Sequence, residues 1–235
     1  MRKIIFIADV FYSQLRADPS SIKHLGGGGE MVNDIIIDHL RNNGHEVVEI
    51  NSKKVDLEYV KANSDAFFII ANFIQLPQTC ISEFHDLDYV IVEHDHKYLL
   101  TRDPSPFEAN KFIAPQNVII NKEFYAHANA VLCQSKLHTQ ILSDNLMIKN
   151  VINLSCSIWS DEQLESIEKH STTQKTKKLG ILKSDNPIKG TVQSMEICRQ
   201  KNISYELIPP CSFDELMERM SKFEMILTQP QVVET

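Results

Sequence analysis

The fold of this chain is set by two segments, Lys3-Ile4-Ile5-Phe6-Ile7-Ala8-Asp9 and Gly26-Gly27-Gly28-Gly29-Glu30. The first is a short apolar run that ends in an acid, which is typical of a β-strand. The second stands directly before a segment whose apolar residues recur at helical spacing, at positions 31, 32, 35, 36 and 40. A strand, a glycine-rich loop and a helix in this order predict the first β–α unit of a parallel sheet.

The glycine run has two interpretations. Glycines before a helix N-terminus let backbone N–H groups approach an anion, which the helix dipole also attracts. On this interpretation, which we favour, Gly27, Gly28, Gly29 and Glu30 are candidate phosphate-binding residues. The alternative is a flexible loop that needs positive φ angles. The run is not the dinucleotide fingerprint, because no spaced G-x-G-x-x-G follows the strand.

Short β-rich runs alternate with helical patterns along the chain, which predicts an α/β fold with a Rossmann-like, doubly wound parallel sheet. After the first strand, further strands are expected at 46–51, 66–71, 89–92, 130–133 and 151–154. Polar residues 171–178 are the best linker candidate, and beyond them strands are expected at 179–182, 205–208 and 225–227. We therefore predict a complete first domain at residues 1–172 and a partial second Rossmann-like domain at residues 173–235.

Composition limits the function classes. With 235 residues the chain is long enough to bury a sizeable core, and its net charge of −7 argues against nucleic acid as a partner. The five cysteines are far apart and form no C-x-x-C pair, which favours reduced thiols and a cytoplasmic location over a disulfide frame or a zinc site. No apolar stretch is long enough to span a bilayer, so membrane association is not indicated.

The order of the motifs resembles that of the GT-B glycosyltransferases, and within them the large retaining family that takes sugars from nucleotide diphosphate donors. The glycine run, Gly44–Val47 and Ala130–Ser135 are similar to motifs of that family's first domain. Gly180–Gly190 looks like the first strand and basic phosphate loop of its second domain. Gln229–Thr235 looks like the opening of its E-x7-E glutamate pair.

The resemblance implies a metal-independent enzyme that moves a hexose from a UDP- or GDP-sugar to a glycan or other polar acceptor, with retention and without a further cofactor. Lys183, Lys189 and Gly190 would then hold the donor diphosphate, on which negative charge develops, and Glu234 would bind hydroxyls of the donor sugar. Two features depart from the family. Lys183 stands six positions before Lys189, where the family has an arginine five before, and the second glutamate would fall beyond Thr235.

His94-Asp95-His96 follows the strand expected at 89–92, at the edge where open α/β sheets bind ligands. A histidine there can exchange a proton with a sugar hydroxyl, so His94 and His96 are both candidate catalytic residues, with a slight preference for His96. A structural role and a metal site are the alternatives. Against a metal, no other Cys/His pair is suitably spaced.

Two other functions remain open at this point. The first is a nucleotide-sugar epimerase on the same fold, which would act on the sugar nucleotide without an acceptor. The second is a truncated or non-catalytic protein that binds a sugar nucleotide, with a partner chain covering the incomplete second domain.

Overall fold

The computed structural model describes residues 2–17, 27–155 and 157–232, and the chain divides into two compact units between Ile158 and Trp159. The first unit is a six-stranded parallel sheet flanked by helices, in the strand order β2-β1-β3-β4-β5-β6. Its strands are β1 (Ile4–Ala8), β2 (Val47–Asn51), β3 (Phe67–Ile70), β4 (Tyr89–Glu93), β5 (Ala130–Cys133) and β6 (Val151–Asn153). Its helices are α1 (Tyr12–Ala17), α2 (Gly28–Asn42), α3 (Leu57–Ala62), α4 (Gln78–Ile81), α5 (Lys122–His127) and α6 (Lys136–Leu146).

β1 is an interior strand of the sheet, and this position explains its apolar sequence. It pairs with β2 on one side and with β3 on the other, so that Ile4 faces both Val47 and Phe67 in register. All five residues of β1 are buried. Alternate side chains enter two hydrophobic clusters, Ile5 and Ile7 in one and Ile4, Phe6 and Ala8 in the other. The predicted first strand is confirmed, and the structure shows that it is buried on both faces.

α2 is the helix predicted after the glycine run. Val32 and Ile37 are buried on its inner face, and the chain leaves the helix through Gly44, whose φ of 83° is in the left-handed region that glycine adopts readily. The N–H of Gly44 donates to the carbonyl of Arg41 and so satisfies one of the terminal carbonyls.

The second unit is a three-stranded parallel sheet in the order β8-β7-β9. Its elements are α7 (Asp161–Ser171), β7 (Thr176–Leu182), α8 (Thr191–Gln200), β8 (Tyr205–Ile208), α9 (Phe213–Ser221) and β9 (Phe223–Ile226). The order of its strands repeats the order β2-β1-β3 of the first unit. The prediction of a Rossmann-like, doubly wound α/β fold with a second parallel sheet is therefore confirmed.

The unit boundary lies earlier than residue 172, where the sequence analysis placed it. α7 belongs to the second unit because it packs on α9, and the Ser166 hydroxyl donates to Asp214 Oδ1 at 2.8 Å. Residues 171–178 are also not a simple linker. They contain the start of β7, whose first three residues are exposed and polar and so lack the apolar signal of a strand.

Both sheets contain a switch point, where the connections from one strand lead to opposite sides. In the first unit it lies between β1 and β3, and in the second between β7 and β9. Ligands of open α/β sheets bind beyond the carboxyl ends of the strands at such a point. No helix in the described ranges is both long and apolar enough to cross a membrane.

Candidate functional site

Five polar side chains form two hydrogen-bonded groups at the carboxyl edge of the first sheet. We call the five together the polar row, and they are Glu30 with Asn72, and Asn33 with His94 and Gln134. The Asn72 amide donates to Glu30 Oε1 at 3.0 Å. His94 Nε2 lies 2.8 Å from Asn33 Oδ1, and Gln134 Nε2 lies 3.4 Å from His94 Nδ1.

The fold explains why these residues meet. Asn72, His94 and Gln134 follow the carboxyl ends of β3, β4 and β5, and neighbouring parallel strands end at the same edge of a sheet. Glu30 and Asn33 are three residues apart on α2 and therefore share one face of that helix. The row thus begins beside the switch point of the first sheet and runs along three consecutive strand ends.

His94 is a neutral imidazole in this row. Burial, with the nearby charge of Lys97, lowers the pKa of His94 to about 3. In the tautomer that matches both contacts, Nε2–H donates to Asn33 and Nδ1 accepts from Gln134. The ring also lies against α2, because a Cβ on Gly29 would be 3.2 Å from His94 Cγ. Glycine at position 29 is what lets the imidazole come this close.

The N-terminus of α2 is a poor place for a phosphate. Gly27 is the N-cap residue and provides no side-chain cap, but Glu30 is in the first turn. Glu30 Oε2 lies 3.1 Å from the position of a Cβ on Gly27, so a carboxylate already occupies the positive end of the helix dipole. This geometry argues against the expected phosphate site at Gly27, Gly28 and Gly29. Gly26 lies outside the described residues.

His96 is placed differently from His94. It is 1% exposed, its Nδ1 lies 3.0 Å from the Tyr98 hydroxyl, and its ring centroid is 4.6 Å from that of His138. Burial lowers the pKa of His96 to about 4 and that of His138 to about 3. The structure therefore favours His94 over His96 as the histidine that meets a ligand, which reverses the preference of the sequence analysis. Across the described ranges, no three His, Cys, Asp or Glu side chains group in a way that would hold a metal ion.

A buried ion network holds the loop that carries His94. Lys97 Nζ lies 2.6 Å from Glu93 Oε1 and 2.8 Å from Asp95 Oδ1, and Lys97 and Glu93 are 3% and 0% exposed. Tyr125 donates its hydroxyl to the second oxygen of Glu93, and Arg102 lies 3.1 Å from the second oxygen of Asp95. The chain after β4 is thus tied down by charge-assisted hydrogen bonds.

The pKa values in this network reflect two opposing effects. Burial raises the pKa of Glu93, and the attraction of Lys97 does not fully offset it. Burial also acts to raise the pKa of Asp95, but Lys97 and Arg102 together hold it below its usual value. Burial would lower the pKa of Lys97, yet the two carboxylates keep it raised, so Lys97 is a charged ammonium.

The second unit has a cavity of about 460 Å³ at its switch point. The residues that line it come from the ends of β7 and β9 and from the start of α8. They are Leu182, Ser184, Lys189, Ser194, Leu227, Thr228 and Pro230. Of the phosphate-binding residues expected in this unit, Lys189 therefore lines the cavity, while Lys183 is exposed and does not. Glu234, the third candidate catalytic residue, lies outside the described residues.

The wall of this cavity is held by hydrogen bonds between the loop after β7 and α8. Thr191 Oγ1 donates to the carbonyl of Leu182 at 2.9 Å and accepts from the N–H of Ser184 at 3.0 Å. The N-terminus of α8 has neither a side-chain cap nor an acidic residue in its first turn. Unlike α2, the first turn of α8 therefore presents backbone N–H groups to an anion without a carboxylate of its own.

The backbone requires glycine at position 190, the N-cap residue of α8. Its φ is +66°, and a Cβ at this position would lie 1.6 Å from the carbonyl oxygen of Gln229. The same segment returns over the loop, since the N–H of Gln231 donates to the carbonyl of Ile188 at 2.7 Å. Glycine thus lets residues 229–231 close over the Lys189 loop.

Several members of these sites carry no signal in the sequence. Asn33, Asn72 and Thr228 are single polar residues without a motif. Glu93 and Lys97 carry a weak sequence signal, since an acid ends an apolar strand and a lysine follows four positions later. Only the pairing of the strands shows that such residues are neighbours.

Neither the family models nor the curated proteins compared with this chain match it. The two sites themselves are therefore the basis for a functional proposal.

Proposed function

We propose that the protein is a metal-independent, retaining glycosyltransferase of the GT-B type. It would move a hexose from a UDP- or GDP-sugar to a glycan or other polar acceptor. The observation that carries the proposal is the cavity of about 460 Å³ at the switch point of the second unit, with Lys189 in its lining. Its volume is within the range of pockets that enclose small ligands, about 300–1,000 Å³.

The chemistry of this cavity suits a nucleoside diphosphate. When the bond from the sugar to the diphosphate breaks, negative charge builds up on the leaving phosphates. The ammonium of Lys189 and the backbone N–H groups at the start of α8 would stabilise that charge without a metal ion. Gly190 keeps the chain close enough for this, while Ser184 and Thr228 offer hydroxyls to the rest of the donor.

The polar row of the first unit is the proposed acceptor site. It offers a neutral imidazole, three amides and a carboxylate, and each can exchange hydrogen bonds with hydroxyl groups. Gln134 approaches His94 Nδ1 only at 3.4 Å, so this nitrogen would accept a hydrogen bond from an acceptor hydroxyl in its place. His94 is thus proposed to orient that hydroxyl, since its pKa of about 3 keeps the imidazole neutral. The role of Glu234 in holding the donor sugar is part of the same proposal.

Calorimetric titration with UDP-glucose, GDP-mannose and ADP-glucose tests the donor site. We expect the chain to bind one of the three nucleotides preferentially. The Lys189→Ala variant should weaken that binding about tenfold to a hundredfold, because a hydrogen bond to a charged group contributes about 1.5–3 kcal/mol. Lys201→Ala removes an equal charge at the other end of α8 and should leave binding within about twofold.

The other outcomes separate the competing functions. If no nucleotide sugar binds, the proposal is wrong. If a nucleotide sugar is converted without any acceptor, the protein is an epimerase on this fold. If a nucleotide sugar binds but is not converted, and its sugar is not transferred to any glycan, the protein is a non-catalytic sugar-nucleotide-binding protein.

A further inference from the structure

We infer that the polar row selects an uncharged, hydroxyl-rich ligand, and that Glu30 excludes anionic ligands from it. This inference rests on the proposed function, because it specifies the class of acceptor that the first unit binds. An acceptor would then present sugar hydroxyls to the row, and not a phosphate or carboxylate group.

The first argument is the position of the Glu30 carboxylate. It lies at the N-terminus of α2, where backbone N–H groups would otherwise attract an anion, and the Asn72 amide holds it there at 3.0 Å. A phosphate brought to the same helix end would meet a like charge at close range. The uncapped N-terminus of α8 has no acidic residue in its first turn. It therefore favours an anion, whereas the N-terminus of α2 with Glu30 repels one.

The second argument is the set of hydrogen-bonding groups. A carboxylate only accepts hydrogen bonds, so Glu30 needs a ligand group that donates. A sugar hydroxyl donates to Glu30 and accepts from an amide of the same row without bringing any charge. A phosphate can offer a P–OH donor only together with its own negative charge, which the carboxylate repels.

Asn33 gives independent evidence that the row is built for a ligand. Its Oδ1 accepts from His94, but its Nδ2 has no partner although the residue is only 1% exposed. An unpaired donor of this kind is rare in a native interior, and it is commonly explained by a missing water or ligand. An oxygen that accepts from Asn33 Nδ2 would be bound by the same amide whose Oδ1 accepts from His94.

The two glycines at the start of α2 differ in their surroundings. Among the described residues, no atom lies within 4 Å of the position of a Cβ on Gly28, whereas a Cβ on Gly29 would press on His94. The two cations of the loop 94–104 do not compensate Glu30, since Lys97 and Arg102 are held in ion pairs with Glu93 and Asp95. These two cations therefore leave the charge of Glu30 unneutralised.

NMR titration of the full chain with two probes tests the inference. The uncharged probe is methyl α-D-glucopyranoside, the anionic probe is inorganic phosphate, and the readout is the imidazole signal of His94. The variant is Glu30→Gln, which keeps an oxygen for Asn72 and loses the charge. Glu58→Gln is the matched control, because Glu58 is also in the first turn of a helix of this unit but lies outside the row.

We expect the glucoside to shift the His94 signal in the wild type, and phosphate to leave it unchanged. Glu30→Gln should let phosphate shift the signal and improve its apparent affinity about tenfold or more, while Glu58→Gln should behave as the wild type. The inference is overturned if phosphate shifts the signal equally in the wild type and in Glu30→Gln, or if the glucoside has no effect. Loss of nucleotide-sugar binding would instead refute the proposed function and leave this result standing.

Discussion

Lys97 places a charged ammonium in the interior of the first unit. It is stable there because Glu93 and Asp95 lie within 2.8 Å of its nitrogen. Removing one partner of such a buried pair leaves an uncompensated charge and costs about 3–5 kcal/mol. By contrast, an exposed pair contributes at most about 1 kcal/mol.

We therefore predict that Lys97→Met lowers the free energy of unfolding of the first unit by about 3–5 kcal/mol. Hydrogen exchange of peptides that cover β4 measures this unit alone. Lys61→Met, which removes a lysine that is 66% exposed and 3.7 Å from Glu83, should change it by less than about 1 kcal/mol. The double variant Glu93→Gln/Lys97→Met should recover part of the loss. Equal exchange in the Lys61 and Lys97 variants would show that the buried network is not stabilising.

Acid should destabilise the first unit through His96 and His138. Both are buried and neutral, with pKa values of about 4 and about 3, against about 6.5 in the unfolded chain. Between about pH 6.5 and pH 4 the unfolded state binds more protons, so stability falls as the pH falls. From about pH 7 to pH 5 the loss is up to about 2 kcal/mol for each histidine.

Hydrogen exchange of β4 as a function of pH, corrected for the intrinsic rate, checks this slope. His94, with a pKa of about 3, contributes in the same way. His138→Phe therefore removes one of three titrating histidines and should reduce the slope by about a third. If the slope is the same in this variant, His138 is not the residue that takes up the proton.

At this scale the sequence predicts where polar side chains gather better than which of them contact one another. His94 and His96 were placed correctly after β4, because an apolar strand followed by a polar cluster is a local signal. Their separate environments depend on Asn33 of α2 and His138 of α6, which are distant in the sequence. No local pattern reveals such contacts.

Among the elements, the N-termini of α2 and α8 both contain glycine but use it differently. Gly190 has a left-handed φ and no room for a Cβ, whereas Gly28 is helical and has open space around its α-carbon. A side chain at Gly190 would have to adopt a conformation that costs about 1–2 kcal/mol, and it would also displace the backbone of Gln229.

We predict that Gly190→Ala destabilises the second unit by more than about 2 kcal/mol, while Gly28→Ala leaves the first unit unchanged or stabilises it by up to about 1 kcal/mol. Urea unfolding followed by the fluorescence of Trp159, the one tryptophan of the chain, monitors the second unit. Peptides of α2 in hydrogen exchange monitor the first. A stable Gly190→Ala variant with unaltered nucleotide binding would contradict the described path of residues 229–231.

The elements that were predicted and those that were missed differ in length and burial. Buried strands such as β1, β3 and β5 are visible as apolar runs, since a parallel sheet covers both of their faces. The short helices α1, α3 and α4 have four to six residues, too few for a clear period. The start of β7 was read as linker because its side chains are exposed and polar.

For the whole molecule, the strand order is what the sequence could not supply. The alternation of strands and helices predicts a parallel sheet, but the side on which each new strand is added depends on how its helix packs. The repeated order β2-β1-β3 and β8-β7-β9 is therefore a result of the structure. It places one switch point in each unit, and hence one candidate site in each.

We predict that the two ligands of the proposed reaction protect different units from hydrogen exchange. The nucleotide sugar that binds in calorimetry should slow exchange in residues 182–191 and 227–230. Methyl α-D-glucopyranoside should slow it around Asn72, His94 and Gln134. Protection of the polar row by the nucleotide sugar alone would show that the donor site was assigned to the wrong unit.

Because β1 lies inside the sheet, its pairing is delayed while the protein is being synthesised on the ribosome. β1 leaves the exit tunnel before both of its partner strands, β2 at residues 47–51 and β3 at residues 67–70. At about 5–20 residues per second, synthesis of residues 9–51 takes roughly 2–9 s, and synthesis of residues 9–70 takes roughly 3–12 s. For the first of these times the segment Ile4-Ile5-Phe6-Ile7-Ala8 has no strand to pair with, and until β3 emerges one of its edges stays unpaired. Nascent chains of this protein should therefore be bound by chaperones that recognise extended apolar peptides, until β3 emerges and the sheet closes around its first strand.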